Sequence, residues 1–187
     1  MKHRCFWVTD NELYKKYHDQ EWGVPVYDDK KLFEFLILET FQAGLSWLTI
    51  LNKRENFRKA FDNFNCKKIA LYSEIKYQEL LKDQGIVRNK LKIRGAIINA
   101  QLFMKVQKEF GSFSSFIWSY VNDKPIINKF VTRDEVPAKT MLSDSISKDL
   151  KKRGFKFVGS TVIYAYMQAI GMVIDHTTDC FKAKEVW

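Results

Sequence analysis

Apolar residues recur along this chain at the three-to-four spacing of helices rather than in alternation. After Asp28-Asp29, the positions Leu32, Phe35, Leu36 and Ala43 share one face of a helix that Gly44 brings to an end. Ser46 then caps a helix carrying Trp47, Ile50, Leu51 and Phe57. Nearer the N-terminus, Thr9 with Glu12 predicts a capping box and a helix running to about Gln20. Asn65 and Ser73 are caps for two shorter helices, the second closing at Gly85, and Asn89 opens a long one to Phe110. Two more are predicted, from Ser112 to about Val121 and from Ser160 to Ile170. No segment alternates for long enough to make a strand, and three prolines with eight glycines are too few for the turns of a β-sandwich. The pattern predicts an all-α fold.

Composition supports that picture and narrows it. With 187 residues, 46% apolar and 15% aromatic, the chain can bury a core and is expected to form one unit. Its start, Met1-Lys2-His3-Arg4-Cys5, leads into polar residues with no apolar stretch of secretory type. The most apolar window, Thr161 to Ile174, contains Gln168 and is too short to span a bilayer. Three cysteines suit a reducing compartment better than a disulfide framework. The expectation is a cytoplasmic protein, monomeric and without membrane association.

Charge changes the picture more. A formal net charge of +9 points to a polyanionic partner, of which nucleic acid is the commonest. The basic residues cluster as Lys53-Arg54 with Arg58-Lys59, as Arg88, Lys90, Lys92 and Arg94, and as Lys151-Lys152-Arg153 with Lys156. At helix ends and turns these are candidates for phosphate contacts, Lys152 among them. The second cluster lies in a helix, glycine turn, helix unit: Glu79-Leu80-Leu81-Lys82, Gly85-Ile86-Val87-Arg88, then the helix from Asn89. In a helix-hairpin-helix element the amides of such a turn, with the dipole of the second helix, meet a DNA phosphate. Gly85 would supply the turn, and Arg88, Lys90 and Lys92 would reinforce the contact. An ordinary antiparallel helix pair has the same layout.

Two constellations can carry chemistry. Cys5 and His18 lie near one end of the chain, His176 and Cys180 near the other, and two thiolates with two imidazoles suit a closed tetrahedral zinc site. Such a site is structural, since no position stays open for a metal-bound hydroxide. His3 competes as a ligand, Cys66 is a plain helix residue, and the four can equally be core or capping residues. Separately, Tyr14 and Tyr17 share a helix face, Trp7 and Trp22 flank that helix, and Trp47 opens the third. Glu39 stands on the apolar face of the second helix, seven residues from Leu32 and four from Phe35. A carboxylate there must be paired, functional or turned outward, and the rings are a core or a stacking pocket. As a pocket, they suit a flat, cationic base turned out of a duplex.

These residues resemble the bacterial type I DNA-3-methyladenine glycosylases over nearly the whole chain. The resemblance rests on Arg4-Cys5-Phe6-Trp7, Tyr14-Lys15-Lys16-Tyr17-His18-Asp19, Glu21-Trp22-Gly23-Val24-Pro25, Leu38-Glu39 and Gln42-Ala43-Gly44-Leu45-Ser46-Trp47. It continues through Lys53-Arg54-Glu55, Gly85-Ile86-Val87-Arg88, the run from Leu150 to Gly159, and the pair His176 and Cys180. It implies a helix-hairpin-helix glycosylase fold in which Cys5, His18, His176 and Cys180 hold one structural zinc ion joining the terminal segments. A hairpin core of about residues 70–165 would carry a lobe made of 1–65 and 166–187. It implies further that Glu39 is the catalytic carboxylate and that Tyr14, Tyr17, Trp47, Trp7 and Trp22 line a 3-methyladenine pocket. The partner would be double-stranded alkylated DNA, the product free 3-methyladenine, and the location the nucleoid. Relatives in the wider superfamily carry an aspartate beyond the hairpin; no acidic residue stands between Arg88 and Lys108, as in the type I branch. Leu45, beside the pocket motif, is a candidate to fill the gap left by a flipped base. A DNA-binding module without catalysis and a zinc-tethered interaction protein are the competing classes; neither releases a base.

Overall fold

The computed structural model describes residues 2–186. At its centre is α2 (Asp29–Gln42), and every residue from Leu32 to Phe41 is buried, Glu34, Glu39 and Thr40 included. The one-sided stripe read from Leu32, Phe35 and Leu36 is therefore part of a helix covered all round, and Phe33, Ile37, Leu38 and Phe41 are as deep as they are. Asp28 caps this helix through the Lys31 amide, while Asp29 accepts from the Phe113 and Ser114 amides (2.9 and 2.8 Å). That second carboxylate fixes the start of α2 to the start of α7 (Phe113–Trp118).

Around α2 pack α3 (Trp47–Ala60), α6 (Lys90–Phe110), α7 and α9 (Ser160–Ala169). The caps expected at Ser46, Asn65, Ser73, Asn89 and Ser112 all accept an amide of the first turn that follows. They open α3, α4 (Cys66–Ile69), α5 (Glu74–Lys82), α6 and α7, the last running on as a 3₁₀ turn to Val121. α5 stops at Lys82, three residues short of Gly85. The cap expected at Thr9 is displaced: Asn11 accepts from the Leu13 and Tyr14 amides (3.0 and 3.1 Å) and opens α1 (Glu12–Gln20). An asparagine next to the helix outcompetes a threonine two residues further out, because its short amide reaches the free amides directly.

Several elements lie outside the predicted set. Thr140 and Ser143 cap each other's backbone and open α8 (Met141–Lys152), which packs on α9. Ile126–Ile127 (β1) and Val173–Ile174 (β2) pair in parallel, a ladder of two residues each, too short for alternation to register. A last turn, α10 (Ala183–Val186), ends the described chain. The tight turn between α8 and α9 leans on α6, where the fully buried Asn99 side chain bonds both the amide and the carbonyl of Lys156 (2.8 and 3.0 Å). The fold is all-α, as the spacing of apolar residues predicts. Among the described residues no helix is long and apolar enough to cross a membrane.

Candidate active site and metal-binding cluster

Glu39 lies one turn before the end of α2 and is 3% exposed. Its Oε2 has no hydrogen-bond partner among the described residues, and burial pushes its pKa up to about 8. The carboxyl lines a cavity of about 310 Å³ that also takes in Trp7, Tyr14, Tyr17, Trp22 and Trp47. The rings form one continuous wall. Trp7 stands edge-on to Tyr14 (5.2 Å between centroids) and to Trp22 (5.1 Å), and Tyr17 meets Trp47 at 5.3 Å. All six residues singled out as pocket or catalytic candidates are thus gathered at one site. Trp47, the first residue of α3, also buries an indole N–H with no acceptor among the described residues.

A buried acceptor and a buried donor without partners cost about 1–3 kcal/mol each when the cavity holds nothing to satisfy them. Such atoms fit a ligand that brings the complementary groups. Burial raises the pKa of Tyr14 and, further, of the fully buried Tyr17, so both phenols stay neutral and present faces rather than charge.

The rest of the lining lies outside the predicted pocket set. It comprises Val136, Pro137 and Ala138 from the loop after β1, Thr161, Tyr164, Ala165 and Gln168 from α9, and Asp175, together with Phe6 and Gln42. Asp175 is 2% exposed and accepts from Tyr164 (2.6 Å), Gln168 (2.8 Å) and Asn128 (2.7 Å), so every donor aimed at it is used. Tyr164 and Gln168 stand four apart on α9 and so share its inner face, which is the only signal the sequence held for them.

Behind the aromatic wall, Cys5, His18, His176 and Cys180 converge, all buried, with ligand atoms within 4.8 Å of one another. Cys5 Sγ is 3.5 Å from His176 Nδ1, and Cys180 Sγ is 3.4 Å from His18 Nε2 and 3.7 Å from His176 Nδ1. A tetrahedral ion with metal–sulfur and metal–nitrogen bonds of about 2.3 and 2.0 Å separates S from N by about 3.5 Å, so the donors fit. The thiols are coupled: Cys5 donates to Cys180 and holds it far below the thiol range, while Cys180 and burial push Cys5 up. A cation between the sulfurs allows both to be thiolates. This Cys2His2 group can hold a metal ion. His3 is not part of it; its exposed ring pairs with Asp179 (3.3 Å). Cys66 is a half-buried residue of α4.

The cluster is braced from outside. His18 Nδ1 is 2.8 Å from Asp19 Oδ1, and Arg4 grips Asp19 through two bonds of 2.8 Å. The Arg4 guanidinium, with His18, holds Asp19 down to about 2, so the carboxylate fixes the His18 tautomer with Nε2 turned to the sulfurs. Asp19→Asn is expected to weaken metal binding about 10- to 100-fold, read by competition with a chromogenic chelator; unchanged affinity would separate Asp19 from the site. The imidazoles also touch the pocket wall, Trp22 lying 4.7 Å from His176 and Trp7 5.3 Å from His18.

The basic clusters divide into tied and free residues. Arg54 is buried on Glu21 and Glu34, Arg58 bonds Glu34 and Glu55, Arg94 pairs with Glu74, and Arg153 with Glu109 and Asp149. Lys92 points inward to backbone carbonyls. These side chains are engaged within the protein and are not the free phosphate contacts that clustering suggests; the partners Glu21, Glu34, Glu74 and Glu109 lie twenty or more positions away in sequence. Arg88, Lys90 and Lys152 are exposed and have no ion-pair partner among the described residues. Helix, turn and helix do follow one another at α5, residues 83–89 and α6. Gly85 is needed there for close approach: a Cβ would lie 3.0 Å from Asn56 Cβ. Its own amide donates to Asp83 (2.7 Å), leaving those of Ile86, Val87 and Arg88 without an acceptor among the described residues. Lys152 is the last residue of α8 and belongs to neither helix of the hairpin.

The description methyladenine glycosylase belongs to the family model that matches residues 7–183. DNA-3-methyladenine glycosylase 1 of Escherichia coli is 48% identical over 177 residues, which cover 95% of this chain and 95% of that protein. A crystal structure of 3-methyladenine DNA glycosylase I matches with a TM-score of 0.93 at 47% identity, covering 96% of this chain and 98% of the other. The Staphylococcus aureus enzyme, solved for the structural basis of its 3-methyladenine recognition, matches with a TM-score of 0.93 at 37% identity and covers 96% of each chain.

Proposed function

The chain belongs to the methyladenine glycosylase family, and from that membership we infer how its own cavity performs the reaction. The protein acts in base-excision repair, hydrolysing the N-glycosidic bond of 3-methyladenine in alkylated DNA. The observation that carries the mechanism is the unpartnered Glu39 carboxyl inside an aromatic-walled cavity. A base rotated out of the duplex stacks against Tyr14, Tyr17 and Trp47, with Trp7 and Trp22 completing the wall. Glu39 accepts hydrogen bonds from the base and favours its positive charge, while the Trp47 indole donates to a ring acceptor.

Methylation at N3 makes the base a cationic leaving group, so the C–N bond to the sugar is already weak. The cavity then has to position the nucleotide and favour a sugar that gains oxocarbenium character. The C–N bond breaks, its electron pair leaving with the base. Water adds to the anomeric carbon and loses a proton, giving free 3-methyladenine and an abasic site with no covalent enzyme intermediate. A non-catalytic DNA-binding module has no use for a buried, unpartnered carboxyl.

We assign zinc to the Cys2His2 group on the chemistry of the donors: two thiols and two imidazoles at tetrahedral spacing. When bound there, zinc cross-links the two ends of the chain and supplies no reaction chemistry. On DNA, the free amides of the hairpin turn at Gly85 receive a phosphate, with Arg88 and Lys90 beside it and Lys152 as a further contact. Leu45, 40% exposed in the loop between α2 and α3, is the side chain that enters the stack. A hairpin core of about residues 70–165 and a lobe of 1–65 with 166–187 would each contribute residues to the cavity lining, and the proposed acting unit is a monomer. The substrate supports a place at the nucleoid in the cytoplasm.

Titrating free 3-methyladenine into the protein should quench tryptophan fluorescence, and Trp47→Ala should abolish binding; a base that binds equally well without Trp47 removes the pocket assignment. Arg88→Ala is expected to weaken binding to damaged and undamaged duplex alike and to lower the log–log salt slope by about one. An unchanged slope would take Arg88 out of the interface.

A further inference from the structure

Lys92 belongs by sequence to the basic cluster at the start of α6, yet its side chain is turned inward. The residue is 7% exposed, and its Nζ lies 2.8 Å from the Phe41 carbonyl oxygen and 2.5 Å from that of Ala43. Those carbonyls sit where α2 stops and have no helical donor of their own. The Lys92 amide is held in turn by the Asn89 cap (3.1 Å), so the side chain starts from a fixed point in the first turn of α6. Burial pulls the ammonium below the usual lysine pKa, a cost offset by the two carbonyls and the negative end of the α2 dipole.

What this lysine joins is specific. On one side is the loop 43–46, where Gly44 takes φ +80° and Leu45 projects. The loop is flanked by Glu39 and Gln42 before it and Trp47 after it, all three lining the cavity. On the other side is the hairpin, whose turn is separately tied to α3 by Lys53 on the Gln84 and Gly85 carbonyls (3.2 and 3.3 Å). Among the described residues, Lys92 makes the only hydrogen bonds between the first turn of α6 and the end of α2.

We propose that Lys92 is a positioning residue for base excision, setting the Gly44–Leu45 loop at a fixed height over the hairpin so that seating the hairpin on a phosphate drives Leu45 into the stack. The inference rests on the reading of Leu45 as the inserted side chain. Lys92 touches neither base nor DNA. A displacement of the loop by about 1 Å is enough to cost up to about 10²-fold in rate.

The test compares Lys92→Met, Leu45→Ala and the double variant. Base release from methylated duplex DNA under single-turnover conditions is measured with binding of free 3-methyladenine by fluorescence and with the melting temperature. Lys92→Met is expected to slow release about tenfold or more while free-base Kd stays within about twofold. The double variant should be no slower than the slower single one, because both changes remove the same event. Unchanged release in Lys92→Met, free-base binding that falls in step with release, or losses that multiply would each overturn the proposal. A normal Lys92→Met beside an impaired Leu45→Ala removes the proposal alone, whereas a normal Leu45→Ala removes the insertion reading and the proposal with it. Should Lys92→Met fail to fold, Lys92→Gln, which keeps a shorter donor, carries the same comparison.

Discussion

Glu39→Gln is expected to lower 3-methyladenine excision by about 10²-fold or more while making the ligand-free protein more stable above neutral pH. The first effect follows from removing the one anion that faces the base from α2; losing a single preorganised group at a reacting centre typically costs about 10²–10³ in rate. The second follows from the pKa of the same group. The carboxyl moves from about 4.5 in an unfolded chain to about 8 in the fold. The folded protein therefore holds a proton that the unfolded chain has released, and stability falls as pH rises from about 4.5 to about 8. At about 1.4 kcal/mol per unit, the loss is on the order of 4 kcal/mol at pH 8. Glutamine stays neutral, so the variant should melt roughly 8–16 °C above wild type at pH 8 and level with it at pH 4. In wild type, kcat/KM should rise with pH through a midpoint near 8 and level off about one unit above it, as Glu39 ionises in the free enzyme, and the variant should lack that limb. Equal melting curves at both pH values would place Glu39 in contact with solvent, against its burial.

Removing the proposed zinc ion, or replacing Cys180 by serine, is expected to cost stability first and activity only through it. The cluster joins Cys5 to His176 across 171 positions. By chain entropy, closing so long a loop is worth about 5 kcal/mol. For a chain of this size each kcal/mol moves the melting temperature by roughly 2–4 °C, so chelation should lower it by roughly 10–20 °C. Trp7 and Trp22 pack on the imidazoles, so free-base binding should fade over the same temperature range as the fold. A chelated protein that keeps its melting temperature yet no longer releases base would make the metal a participant in the reaction.

Much of the site was legible because its residues are scarce or misplaced for their type. Three histidines and three cysteines leave few ways to assemble four ligands, and a glutamate within an apolar helix stands out by its burial cost. The predicted part of the cavity lining comes from one stretch, Trp7 to Trp47, where local spacing and motif carry information. Most of the rest is assembled from the loop at 136–138, from α9 and from Asp175, three segments that only tertiary packing brings together. The charge clusters misled for the same reason: nothing near Arg54 in sequence announces Glu34 twenty residues earlier, and nothing near Lys92 announces the end of α2. Caps were read well where an Asn, Asp or Ser adjoins the helix and missed at Asn11, where Thr9 and Glu12 imitate the pattern of a capping box. The β1–β2 ladder is too short to leave a pattern at all.

The most direct measurement is base release from methylated duplex DNA by wild type and by Glu39→Gln, resolved by chromatography of the free bases. The account predicts 3-methyladenine from wild type, with 7-methylguanine left in the DNA, and a rate about 10²-fold lower from the variant although it binds the duplex normally. Equal release of 3-methyladenine by both proteins would contradict it, leaving the buried Glu39 as an element of the fold and the reaction to other residues of the cavity.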